Sequence, residues 1–144
     1  MTGSIGFAPI WQKHWCADLW PQVWKEKGHT KNIVLLELFP IVVALEIWGA
    51  FFKGKRILIR TDNKGVVYAI NCLTSKSPPV IVILRYLVFK CLSLNIWLKA
   101  IHVAGRDNDL VDSLSRLQMD RFFQLFPEAD RVGLPCPPNL WDLV

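Results

Sequence analysis

Four side chains have the types and positions from which divalent-cation chemistry is built: Glu37, Asp62, Asp112 and His102. Glu37 stands three residues before Pro40, near the expected start of a helix. Asp62 and Asn63 follow a short β-type run, residues 56–61 (RILIRT). Asp112 falls in the first turn of a helix read from 107 or 108 to about 121, ten residues after His102. In open α/β sheets, ligands gather beyond the carboxyl ends of parallel strands, which is where Asp62 is expected. Carboxylates converging there suit Mg²⁺ or Mn²⁺, which prefer oxygen ligands. Two such ions about 3.5–4 Å apart clamp the attacking and leaving oxygens of a phosphodiester. Each residue also has an ordinary structural explanation. Acids at helix starts are favoured by the macrodipole, an Asp-Asn pair after a strand is often a turn, and a lone His is more often structural than catalytic.

Alternating strands and helices must bring these residues together. Residues 3–11 and 15–20 are apolar runs separated by a short polar link, as in a hairpin. From 33 to 52, Leu38, Ile41, Val42, Leu45, Trp48 and Phe52 recur at helical spacing. Pro40 is tolerated in a first turn, so the helix is expected to begin near Leu36 or Glu37. Residues 64–73 read as a short helix weakened by Gly65. Pro78 and Pro79 open a helix over 80–94, with Ile83, Leu84, Leu87, Val88, Cys91 and Leu92 on one face; Asn95 stops it and 96–101 form a strand. The last helix turns Leu110, Leu114 and Leu117 inward. The order implies an α/β fold with partly parallel pairing. Residues 127–144, Pro-rich and without a period, read as a linker or extended arm.

Composition excludes several classes. With 52% hydrophobic and 20% charged residues, the chain of 144 residues is too apolar for disorder and long enough for one domain. A net charge of +5 is compatible with polyanion binding and equally with solubility. The seven Trp suggest apolar surface to spare for a partner. Cys16, Cys72, Cys91 and Cys136 lack zinc-ligand spacing and read as reduced, mostly buried thiols. No signal peptide is recognisable at the start, and an intracellular location, cytoplasm or nucleus, is expected. Stretches 33–52 and 80–101 have nearly the length of a membrane span, but Glu37, Pro40 and Glu46 in one, and Arg85, Lys90 and Lys99 in the other, favour buried core helices and no membrane.

Three segments together, LLELFPIVVALEIWG (35–49), ILIRTDN (57–63) and IHVAGRDNDLVDSLSR (101–116), resemble the ribonuclease H domain of reverse-transcriptase retroelements of the DIRS and gypsy-like kind. The resemblance implies a mixed β-sheet flanked by helices over residues 1–126, with Glu37, Asp62 and Asp112 as metal ligands. It also implies His102 as an auxiliary group, Mg²⁺ or Mn²⁺ as cofactor, and hydrolysis of the RNA strand of RNA–DNA hybrids. Asn63, Lys64, Arg106 and Arg116 are the expected phosphate-binding residues. A polymerase domain or a following polyprotein domain is a further possible partner.

The departures from the family are as informative. The family's first strand ends in a metal-binding Asp and runs on into Gly-Ser-Ile-Gly-Phe; here that segment begins at Gly3, so the first Asp and its central strand are expected to lie before Met1. Ala8-Pro9 replaces Gly-Ala, and Ala104 replaces a loop Pro. The resemblance therefore implies a truncated domain of weak or absent nuclease activity. The alternatives are a non-catalytic nucleic-acid-binding remnant and a structural module of a polyprotein.

Overall fold

The computed structural model describes residues 6–105 and 109–144. They form a mixed α/β architecture in which small sheets are flanked by helices. The hairpin is there. Strands β1 (Gly6–Phe7) and β2 (Ile10–Trp11) pair antiparallel with β4 (Asp18–Leu19) and β3 (His14–Trp15), respectively. Gln12, at φ 54°, makes the turn. Residues 22–32 are ordered as well. They carry α1 (Gln22–Glu26) and a 3-10 turn, because Trp24 is fully buried and holds the segment to the core.

Helix α2 (Ile33–Phe52) is the axis of the fold. It begins earlier than its proline suggests. Asn32 caps it by accepting from the Leu35 N–H at 3.2 Å, and its amide donates to Ser77 Oγ at 2.9 Å, tying the helix start to that of α4 (Pro78–Leu94). Pro40 therefore lies in the helix interior, where it removes the bond to the Leu36 carbonyl. Burial of Leu35, Leu38, Phe39, Val42, Val43 and four further apolar side chains outweighs that loss. By length and composition α2 could cross a membrane, but half of it is buried within this fold.

The second sheet is a parallel pair, β5 (Arg56–Thr61) and β6 (Trp97–His102), with Ile59 opposite Ala100 and Thr61 opposite His102. Helix α3 (Lys64–Cys72) and α4 connect them. Asn95 ends α4 in the left-handed conformation, and the Ile96 N–H closes the turn on the Cys91 carbonyl at 2.8 Å. Of the face expected for α4, Ile83, Leu84 and Leu87 are buried, whereas Leu92 is 77% exposed. The outer edge of β6 is closed by one side chain. Asn71 of α3 donates to the Ala100 carbonyl and accepts from its N–H, both at 2.9 Å, as a neighbouring strand would. Asn71→Ala leaves both groups of a buried residue unpaired and is expected to cost about 2 kcal/mol in chemical denaturation; a loss below about 0.5 kcal/mol would show that water replaces the amide there.

The last helix does not run to residue 121. Helix α5 (Asp109–Ser115) stops where Leu117 turns left-handed and Gln118 N–H bonds the Ser113 carbonyl at 2.9 Å. Helix α6 (Met119–Leu125) then starts afresh. Leu114 is buried as expected, but Leu117 sits in the turn, exposed. Residues 127–144 are neither linker nor extended arm. Leu140 and Ala129 are buried, and Trp141 stacks on Phe39 at 4.9 Å between ring centroids.

Candidate metal centre

The three acids arrive from three elements. Glu37 is on the second turn of α2, Asp62 follows β5, and Asp112 is in α5. A cavity of about 460 Å³ lies between the hairpin, α2 and β5, and Glu37 lines it together with Leu36, Thr61, Val103, Val111 and Ser115. Of the three acids only Glu37 lines the cavity; Asp62 follows the lining residue Thr61, and Asp112 lies between the lining residues Val111 and Ser115 on its helix. The electrostatics agree. Burial first, then the negative charges of Asp62 and Asp112, push the Glu37 carboxyl up to about 7.

Asp62 is the most distinctive of the three. Its Oδ1 is buried and has no hydrogen-bond partner among the described residues. Its Oδ2 lies against the loop after β6, where a Cβ at Gly105 would come within 3.4 Å of it. A buried carboxylate oxygen with no donor is costly unless something positive reaches it. Asp112, in contrast, is already neutralised in part: Arg116 Nε meets its Oδ1 at 3.1 Å.

Neighbourhood is not coordination. Among the described residues, no three His, Cys, Asp or Glu side chains are arranged closely enough to hold a metal ion. No protein-family model, curated protein or solved structure matches the chain. The donor chemistry nonetheless suits a hard cation, since all three groups offer oxygen and one oxygen is orphaned.

The remaining expected residues divide. His102 ends β6 exposed and makes no hydrogen bond or ion pair with the described residues. Asn63 is used structurally, its Oδ1 accepting from Val66 N–H at 3.2 Å as the cap of α3. Lys64 is exposed in the first turn of α3. Arg116 is engaged with Asp112. Arg106, and Asp107 and Asn108 expected to cap α5, lie outside the described residues. Thr61 was not among the candidates. It is buried beside Asp62, and its Oγ1 accepts from Asn63 N–H at 3.1 Å, fixing the turn that carries the acid.

Proposed function

We propose that this chain is a ribonuclease H-type domain of a retroelement polyprotein, hydrolysing the RNA strand of RNA–DNA hybrids with Mg²⁺ or Mn²⁺. The observation that supports the reading is that the cavity-lining Glu37, raised chiefly by its burial, also feels the negative charges of Asp62 and Asp112, while Asp62 keeps a buried oxygen without a partner among the described residues. Three acids distant in sequence have no folding reason to be brought together, because their repulsion opposes it.

A bound divalent cation would polarise a phosphoryl oxygen and make its water a better nucleophile. Glu37, Asp62 and Asp112 do not form a metal-holding triad as they stand and would have to close on it, with phosphate and water oxygens completing the shell. The chain's own residues have distinct tasks. Asp62 presents the orphaned oxygen. Glu37 carries a proton up to about pH 7 and would have to give it up to water to serve as a ligand. Arg116 orients Asp112 through its Nε bond. Lys64 and Arg106 would meet backbone phosphates and His102 would assist product release.

The absence of a closed triad among the described residues favours, as a second reading, a nucleic-acid-binding remnant without catalysis. A labelled RNA–DNA hybrid, incubated with the protein and Mn²⁺ or Mg²⁺, separates the two. Cleavage that falls at least about 100-fold in Asp62→Asn is the expected result. Salt-dependent binding without cleavage would establish the remnant, and neither binding nor cleavage would remove both.

A further inference from the structure

Among the described residues, the parallel pair of β5 and β6 has one bare face. Side chains alternate between the two faces of a strand, and in this register Arg56 stands beside Trp97, Leu58 beside Lys99 and Arg60 beside Ile101. The opposite face carries Ile57, Ile59, Leu98 and Ala100, which join the core with side chains of α2, α3 and α4. Parallel sheets ordinarily have both faces covered, because crossover helices lie on each. Here Arg56, Leu58, Arg60, Trp97 and Lys99 are exposed, Trp97 by 67%, and only Ile101 is half-buried. The central strand expected before Met1 would add to the sheet at the edge of β5 and would not lie over this face.

Cation and apolar group change places from one rung of this face to the next: Arg56 with Trp97, Lys99 with Leu58, Arg60 with Ile101. Neighbouring strands lie about 4.8 Å apart, and alternate residues about 6.6 Å apart along a strand, so each apolar group has a cation at both spacings. Arg56, Arg60 and Lys99 make no ion pair or side-chain hydrogen bond with the described residues, and the Trp97 ring meets no other ring among them. Lys53 and Lys55 add two exposed cations at the end where the strands begin. Surface charge that serves solubility has both signs interspersed. No Asp or Glu occurs from 47 to 61 or from 95 to 106, so this surface is of one sign.

We propose that this face binds single-stranded nucleic acid, with one base stacked on Trp97, a second resting on Leu58, and backbone phosphates on Arg56, Arg60 and Lys99. Single strands are held by aromatic platforms set among cations that track the backbone, and stacking tolerates any base because each has a π-face. A duplex offers phosphates but keeps its bases stacked on one another, so Trp97 and Leu58 would gain nothing from it. An acidic polypeptide meets the cations, but its chain does not repeat a flat group and a negative charge at every unit as a nucleotide chain does. The site uses none of Glu37, Asp62 and Asp112 and needs no metal. It borders the cavity only through Leu58 and Arg60.

The test uses the full chain in EDTA and a short labelled oligothymidylate, with affinity read by fluorescence anisotropy. Binding is expected to weaken at least about tenfold in Trp97→Ala, while Trp97→Phe, which keeps a stacking ring, stays within about threefold of the unaltered protein. Arg56→Gln combined with Arg60→Gln should reduce the slope of log affinity against log salt by about 1.4, since each phosphate neutralised on a single strand contributes about 0.7. These side chains are exposed, so thermal midpoints should stay where they are and lost binding is not lost fold. Hydroxyl-radical footprinting reads Trp97 by name: it is expected to be oxidised in the free protein and protected by the oligonucleotide. No saturable binding at millimolar oligonucleotide overturns the proposal, as does unchanged affinity in Trp97→Ala. A duplex of the same length that binds as tightly, or polyglutamate that displaces the label as well as unlabelled oligothymidylate does, also overturns it. Trp97 unoxidised in the free protein would mean that another part of the chain, or a second copy, already covers the face, and the proposal falls. No arm depends on a metal or on cleavage, so this site and the nuclease reading fail separately.

Discussion

Removing residues 137–144 is expected to unfold this protein at ordinary temperature, although the segment is the most linker-like stretch of the sequence. Trp141 sits in a cage of aromatic rings. Phe39 stacks on it at 4.9 Å, while Phe7 and Trp24 meet it edge-on at 5.3 and 5.4 Å. Trp24 Nε1 also donates to the Trp141 carbonyl at 3.1 Å, so the segment satisfies a buried indole as well as covering it. Losing an aromatic side chain from such a site typically costs about 3–5 kcal/mol. Deletion adds the exposure of Phe7, Trp24 and Phe39 and the loss of the fully buried Leu140. The total approaches the roughly 5–15 kcal/mol that holds a domain together. Trp141→Ala alone should lower the urea midpoint by an amount corresponding to about 3 kcal/mol. A fall below about 1 kcal/mol would mean that the ring cluster closes over the gap. Farther upstream the tail is equally fitted: a Cβ at Gly133 would stand 2.4 Å from the Trp15 ring, and Trp15 Nε1 donates to the Asp130 carbonyl at 2.6 Å. Substituting Ala for Gly133 should therefore also destabilise, through the overlap rather than through backbone freedom.

The tail shows where reading from sequence loses its grip. Periodicity reports elements that bury one face of a regular structure. Residues 127–144 bury single side chains from irregular backbone, so Leu140 and Trp141 left no period to find. The hairpin, α2, β5, α3, α4 and β6 were legible because each carries a period or a terminator such as Pro78 or Asn95. Pro40 misled by one rule. Its tolerance in a first turn moved the expected start of α2 to Leu36 or Glu37, whereas the Asn32 cap and packing on several sides carry the helix through the proline. Leu92 and Leu117 were expected inward from spacing and are exposed, Leu92 near the C-terminal end of α4 and Leu117 in a left-handed turn. At the candidate site, the acids could be named from the sequence, but that the charges of Asp62 and Asp112 reach Glu37 could not be read there, since it depends on how three elements dock. Nothing in the sequence marked Asn71 as the cover of the β6 edge, because that role belongs to ladder parity rather than to side-chain type.

Convergence has a thermodynamic signature that can be read without any substrate. Glu37 keeps its proton in the folded protein until about pH 7, while in the unfolded chain it releases it near its ordinary value of 4.5. Between these values the folded state binds more protons, so rising pH draws the equilibrium toward unfolding. The group's contribution is fully present below about pH 4.5 and is lost as pH passes 7, the reverse of a carboxylate held in an ion pair. The lost stability is at most about 3 kcal/mol, as a shift of one unit is worth about 1.4 kcal/mol. Glu37→Gln removes the titration and should be the more stable protein at pH 8, with a flatter midpoint between pH 5 and 8. A cation held by Glu37 and Asp62 would supply what proton release takes away. Mg²⁺ or Mn²⁺ added at pH 8 should raise the midpoint of the unaltered protein, by several degrees at saturating concentration, and leave that of Glu37→Gln nearly unmoved. The two measurements separate two claims. A flat pH profile in the unaltered protein would mean that Glu37 is not pressed by its neighbours. A sloping profile with no response to either cation would leave Glu37 pressed by its neighbours but without affinity for metal, and the nuclease reading would lose its chemistry.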